Sequence, residues 1–413
     1  MTEHAGIGDP GVIPRPSFAR LRVVSVLGIM QILAWGSSYY LLAVVAGPLS
    51  RDTGWTLPWI VGGLSLGLLV AAVVSPRVGR AIETHGGRPV LALSAVLLAA
   101  GLMMMGLATS LPVYLMAWIV IGAGMGAGLY DAAFSTLGRY YGDGARGTIA
   151  TLTLFGGFAS TVCWPISAWL VEAIGWRGAC FAYAGVHLGL ALPAYLLLLP
   201  RADRGLSGEA ARRAGLPRQA ALFLGPPRSA FVLLAAIITI ASAVTSLMSV
   251  YLLEILRARG LELAAAVALG ALVGPSQVGA RAVEMALGRY YHPLWTMIAA
   301  MALMATGLSL MLIDLPLMAL PLVLYGAGIG IKSIARGTVP LALFGAAGYP
   351  AVIGRLALYS LLAQAAAPFI GAFLMEQGGS GSILAVLAGL SLGSLAMAFL
   401  LRALWRGAGP TAA

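Results

Sequence analysis

A run of about 20 predominantly apolar residues is long enough to cross a bilayer as a helix, and in lipid a helix is one of the few ways to satisfy every backbone polar group. The sequence carries twelve such runs, at about 21–46, 58–78, 89–109, 112–138, 147–171, 177–199, 229–253, 263–280, 293–313, 316–341, 351–374 and 381–402, called segments 1 to 12 below. Only 9% of residues are charged and mean hydropathy is +0.94, which removes the alternative of two or three soluble domains. The chain therefore reads as an all-α integral membrane protein. Residues 1–20 are polar and rich in Pro and Gly, without the short apolar core and small-residue cleavage site of a signal peptide, and read as a cytoplasmic tail.

A formal charge of +11 raises the question of a nucleic-acid partner, and the distribution of charge answers it. With the N-terminus inside, only Arg51, Arg177, Arg257 and Arg259 of the 25 basic residues fall on the far side. That is the positive-inside bias, so the basicity sets topology and no nucleic acid is required. The expected location is a multi-pass plasma (inner) membrane, with both termini cytoplasmic. Arg201, Arg204, Arg212, Arg213, Arg218 and Arg228 gather in the one long loop, 200–228, where they fit an anchor at anionic lipid or a regulatory segment. The two cysteines, Cys163 and Cys180, have neither disulfide-framework nor metal spacing, and no cofactor or metal is implied. No HExxH motif or carboxylate cluster supports an enzyme.

The chain also repeats itself. "RAIETHGGR" at 80–88 returns as "RAVEMALGR" at 281–289, and "GAGMG" at 122–126 returns as "GAGIG" at 326–330. Pro165 and Glu172 are echoed by Pro368 and Glu376. Landmarks in one order at a nearly constant offset imply duplication, with two pseudo-symmetric six-helix halves. The expected organisation is an N-terminal tail at 1–20, a first half at 21–199, a basic cytoplasmic linker at 200–228, a second half at 229–402 and a cytoplasmic C-terminal tail at 403–413.

These features resemble the major facilitator superfamily over essentially the whole chain. Between its second and third helices that family carries Gly, three residues, an acid, a basic residue, then Gly and basic residues. Here the stretch reads Gly79-Arg80-Ala81-Ile82-Glu83-Thr84-His85-Gly86-Gly87-Arg88, with Thr84 and Gly87 standing where basic residues are usual and Leu287 replacing Gly in the second copy. A narrower stretch, "GAGMGAGLYDAAFSTLGRYYG" with Arg146-Gly147 and "GWRGACF", is similar to the monocarboxylate and oxalate/formate-type branch. The resemblance implies a cytoplasmic latch between the halves, and assigns Arg80, Glu83, Arg88, Arg281, Glu284 and Arg289 to it as a gate. It also implies that segments 1, 4, 7 and 10 line a central cavity.

Ionisable residues inside apolar segments are costly and mark function. Asp131 in segment 4 and Lys332 and Arg336 in segment 10 occupy nearly equivalent places in the two halves. Lys332 and Arg336 are four apart and share a helical face, a pattern suited to an anion in a low-dielectric cavity. Asp131 is the candidate proton-coupling residue. Arg355 and Tyr359 of segment 11 and Trp35 and Tyr39 of segment 1 complete the candidate substrate contacts, beside polar stripes at Gln31 and Ser38 and at Ser242, Thr245, Ser246 and Ser249. His187 in segment 6 reads as a packed histidine.

The reading is a secondary active transporter that moves a small solute, foremost an organic anion such as a monocarboxylate, by alternating access coupled to protons. Its partners would be that solute, protons and the lipid bilayer. The alternatives are an efflux carrier for amphipathic compounds or metalloids, and a polytopic receptor or scaffold that transports nothing.

Overall fold

The computed structural model describes residues 18–201, 228–313 and 317–407. Most of the expected linker (202–227) and of both tails (1–17 and 408–413) lies outside the described residues. Among the described residues every regular element is helical. Eight helical stretches are long and apolar enough to cross a membrane, but Leu111–Leu198 spans 88 residues and Tyr349–Trp405 spans 57, so both must fold back. The reversals fall at Gly175 (φ 75°) between segments 5 and 6 and at Gly379 (φ 65°) between segments 11 and 12. A third, at Gly142 (φ 54°), separates segments 4 and 5. Left-handed backbone of this kind is open to glycine at little cost. Segment 10, Ala319–Phe344, which carries Lys332 and Arg336, is a further long helix beside these eight. With it, the described residues make the twelve spans of the fold.

The duplication is visible in the backbone. Gly54 and Gly260, Gly142 and Gly345, and Gly175 and Gly379 all take positive φ at matching turns of the two halves. The glycine runs pack alike as well. A Cβ at Gly122 or Gly126 would strike the backbone of segment 2 at Gly67 or Ala71, and one at Gly326 or Gly330 would strike segment 8 at Val273 or Gln277. Small residues here let helices approach to backbone contact, which packs them where lipid supplies no hydrophobic drive. One apolar core is built solely from residues between Ala230 and Leu401, the second half of the chain.

Several spans depart from the uninterrupted runs that the sequence suggests. Segment 2 stays helical from Leu57 to His85, past its expected end at 78, so Arg80 and Glu83 lie in its last turns. Segment 8 likewise continues to Leu287 and carries Arg281 and Glu284 within it. Segment 1 divides into Phe18–Ser37 and Leu42–Thr53, and segment 5 breaks at Phe158. Segment 4 divides into Leu111–Gly128 and Tyr130–Tyr141, because Leu129 is extended (φ −78°, ψ −167°) after the weak helix formers Gly126 and Gly128. The carbonyl of Gly128 loses its helical donor there and accepts instead from Gln31 Nε2 at 2.6 Å.

The halves meet closely at the end that carries the repeated phrases. Gly79 of segment 2 lies against Pro350 and Gly354 of segment 11, and Gly138 against the Tyr349 ring. Arg146 Nη1 donates to Tyr291 O at 2.7 Å, and Arg281 Nη1 to Thr153 O at 3.0 Å. Segment 8 packs on segment 5 through Ala145–Gly157, without comparable packing on Ala159–Val186 beyond the break. The bundle is sealed at the phrase-bearing end and looser along this seam at the other.

At that other end Arg177, of the "GWRGACF" stretch, ties three connections of the first half together. Its Nη1 donates to Gly106 O (2.9 Å) and Ala108 O (2.7 Å), its Nη2 approaches Asp52 Oδ2 at 3.4 Å, and its guanidinium lies 4.3 Å from the Trp176 ring. Charged hydrogen bonds to carbonyls contribute about 1.5–3 kcal/mol. Arg177→Ala is expected to lower the unfolding temperature in detergent by several degrees, and an unchanged melt would show that the clamp is idle.

Candidate functional site

The break in segment 4 places Asp131 in the first turn of a half-helix near the middle of the bundle. The N-terminus of a helix favours a carboxylate, through the partial positive charge of its unpaired N–H groups. Facing it, Arg336 of segment 10 donates from Nε to Asp131 Oδ1 (2.9 Å) and from Nη2 to Asp131 Oδ2 (2.8 Å). The same Nη2 reaches Ser360 Oγ of segment 11 at 2.8 Å. This bidentate pair joins the two halves, with side-chain exposures of only 18% and 17%.

The pair borders a cavity of about 70 Å³ whose wall includes Trp35, Tyr39, Tyr130, Leu361 and Gln364. Such a volume holds a few waters, so a larger solute requires the surrounding helices to part. Trp35 Nε1 is buried without a hydrogen-bond partner among the described residues, leaving a donor on this wall. The Trp35 ring meets Tyr39 at 5.5 Å, Tyr40 at 6.0 Å and Tyr130 at 5.3 Å between centroids.

Lys332 does not lie beside Arg336 at the carboxylate. Its Nζ donates to Thr245 Oγ1 (2.6 Å) and Ala241 O (3.2 Å) of segment 7. Residues four apart on a helix are also offset along its axis, so two long side chains on one face reach different neighbours. The expected pair of adjacent cations is thus a divided one. A third cation joins them from a place the sequence suggests only as a gate. Arg281 is 5% exposed, and its guanidinium is held by Gly330 O, Thr153 O, Gln277 Oε1 and Ser333 Oγ, with no carboxylate among its partners in the described residues.

The other residues singled out in the sequence fall in separate places. Tyr359 and Arg355 lie on an exposed stripe of segment 11 with Leu362, Phe369 and Phe373, while their neighbours Ser360, Leu361 and Gln364 turn toward the site. Arg80 is exposed, Arg88 sits near Tyr140, and the backbone carbonyl of Glu83 accepts from Arg139 of the same half. In the second copy Glu284 is buried and accepts from Tyr291 Oη and from Thr296 Oγ1 (2.6 Å), with Arg146 of the first half beside it. Arg289 rests on the Tyr290 ring, 4.7 Å from its centroid. His187 is buried and hydrogen-bonded to Ser37 Oγ at 2.7 Å.

Two pseudo-symmetric halves of broken spans, joined at mid-bundle by a charged pair, define a membrane carrier architecture. The sequence model of the Major Facilitator Superfamily matches residues 27–284, more than half of the chain, and the chain belongs to that superfamily. The family consists of transporters, not enzymes. Among curated proteins, the chain is 32% identical over 185 residues to an uncharacterized 38 kDa protein of Thermoproteus tenax, covering 44% of this chain and 48% of that one. It is 35% identical over 163 residues to monocarboxylate transporter 11 of Mus musculus (39% and 33% covered). It is 25% identical over 166 residues to the oxalate:formate antiporter of Oxalobacter formigenes (40% and 39% covered). The match thus spans about half, or less, of these relatives. In fold it is similar to the proton:xylose symporter XylE (TM-score 0.73, 13% identity, 95% of this chain and 100% of that one). The human organic anion transporter MFSD10 superposes comparably (TM-score 0.70, 17% identity, 92% and 99% covered).

Removing one partner of a buried ion pair leaves an uncompensated charge and costs about 3–5 kcal/mol, whereas removing both costs much less. Asp131→Ala is therefore expected to destabilise the protein more than Asp131→Ala with Arg336→Ala. Thermal unfolding of the two variants in detergent checks this ordering, and simple additivity would show that the charges do not depend on each other.

Proposed function

We propose that the protein is a secondary active transporter of an organic anion, working by alternating access with Asp131 as its proton-coupling group. The observation that carries this reading is the charge at the meeting of the halves. Arg336 meets Asp131 across the halves, while Lys332 and Arg281, on segments 10 and 8, are held by carbonyl, hydroxyl and amide oxygens. Guanidinium groups in a poorly hydrated interior attract an anion far more strongly than they would in water. The monocarboxylate and oxalate:formate names of the relatives point the same way.

In this mechanism the anion competes with Asp131 for Arg336. Protonation of Asp131 frees the guanidinium, the anion takes its place, and the cost of an unpaired buried cation makes the two events interdependent. The sealed end, assigned here to the cytoplasmic side, then opens as the other closes. The six gate residues contribute unequally. Glu284, with Tyr291 and Arg146, spans the halves, and Arg80, Glu83, Arg88 and Arg289 support the helix ends around it.

Uptake into proteoliposomes of a panel of small carboxylates, with and without an imposed pH gradient, tests the proposal. Arg336→Gln is expected to lower saturable uptake at least tenfold. Asp131→Asn is expected to keep substrate exchange while losing acceleration by the gradient, and gradient-driven uptake in that variant would move coupling elsewhere. For the gate, Glu284→Gln should raise labelling of a cysteine placed at Ser333, by an impermeant maleimide added on the sealed side, more than Glu83→Gln does. Equal labelling of the two variants would refute the asymmetry between the copies.

A further inference from the structure

The aromatic residues at the cavity do not stop at its wall. From Trp35, ring contacts run to Tyr40 and from Tyr40 to Trp164 of segment 5, at 6.0 and 6.1 Å between centroids. On the other side Trp35 meets Tyr130, which stacks on Phe134 at 5.3 Å with the planes 10° apart. Trp164 in turn opens onto a groove of about 520 Å³ between segments 1 and 5, bordered by Val44, Ser160, Thr161 and Pro165. Contacting aromatic rings therefore run from the charged centre to the edge of a larger open groove.

We propose that this path is a subsite for an aromatic group carried by the transported anion, so that the substrate class is an aryl or arylalkyl carboxylate. The inference rests on the organic-anion reading above and adds to it the part of the substrate distant from the charge. The centre supplies the anchor for the carboxylate at Arg336, since Trp35, Tyr39 and Tyr130 border the same small cavity as the Asp131–Arg336 pair. Aromatic faces and edges supply the rest, because rings prefer offset or edge-to-face partners at these separations. Trp35–Tyr39 and Tyr40–Trp164 already pair edge to face, at 71° and 89°, the arrangement an aromatic group of the substrate would extend.

A formate-sized anion would use only the small central cavity and would have no need of this groove. Trp164 is 46% exposed, although a partner ring lies beside it, so nearly half of it remains available. The competing occupant is a lipid acyl chain, and the hydroxyls of Ser160 and Thr161 on the groove border suit it poorly.

The test compares propionate with 3-phenylpropionate in proteoliposomes, by uptake and by mutual competition. The phenyl compound is expected to show a KM at least tenfold lower. Trp164→Ala should narrow that ratio to within about threefold, and Trp164→Phe, which keeps a ring, should restore most of it. If propionate is transported but the phenyl compound has no advantage, or if Trp164→Ala leaves the ratio intact, the subsite is refuted while the anion reading stands. If the variant affects both substrates alike, to an extent that changes with the acyl chains of the vesicles, lipid fills the groove and the proposal fails. If neither carboxylate is transported or competes, the organic-anion reading fails first and takes this inference with it.

Discussion

The Asp131–Arg336 pair sets the terms for the rest of the bundle. A carboxylate and a guanidinium that are less than one-fifth exposed cannot stand alone in an apolar interior, so each half of the protein is held where it can neutralise the other. The pair needs a helix N-terminus at mid-bundle, and the extended Leu129 provides one. The break in turn needs a donor for the freed Gly128 carbonyl, and Gln31 supplies it from segment 1. Four spans, segments 1, 4, 10 and 11, are thereby tied into one polar network around a single ion pair.

Much of this architecture is legible in the sequence because lipid allows few solutions. Apolar runs announce the spans, and the paired glycine motifs announce the duplication, since only glycine tolerates the backbone contacts at Gly122 and Gly326. Asp131 and Arg336 stand out for a related reason, as charges without an aqueous neighbour. The break at Leu129 is less visible. Its energy comes from a tertiary partner, Gln31, 97 residues away, and no local propensity encodes that bond.

The repeat also misleads where symmetry fails. Arg80 and Arg281 occupy the same place in the two copies of the phrase, yet the first is exposed and the second is 5% exposed. The difference lies in the neighbours. Beside Arg281, segment 5 offers the Thr153 carbonyl and the bare backbone of Gly157, where a Cβ would strike the guanidinium. At the corresponding joint Gly79 packs directly against Pro350, and Arg80 is turned away. Sequence offset records common descent of the halves, while burial depends on the helix opposite. Lys332 and Tyr359 teach the same lesson, since a shared face or a polar type says little about which neighbour a side chain reaches.

The broken fourth segment has a mechanical consequence. Tyr130–Tyr141 is a rod of 12 residues, about 18 Å long at the rise of an α-helix, hinged at Leu129. Tilting such a rod by roughly 10° carries its far end about 3 Å while its near end hardly moves. Asp131 is at the near end and Gly138, wedged against Tyr349, is toward the far one. Release of Arg336 by Asp131 at the near end and opening of the seam at Tyr349 at the far end can therefore be two ends of one movement.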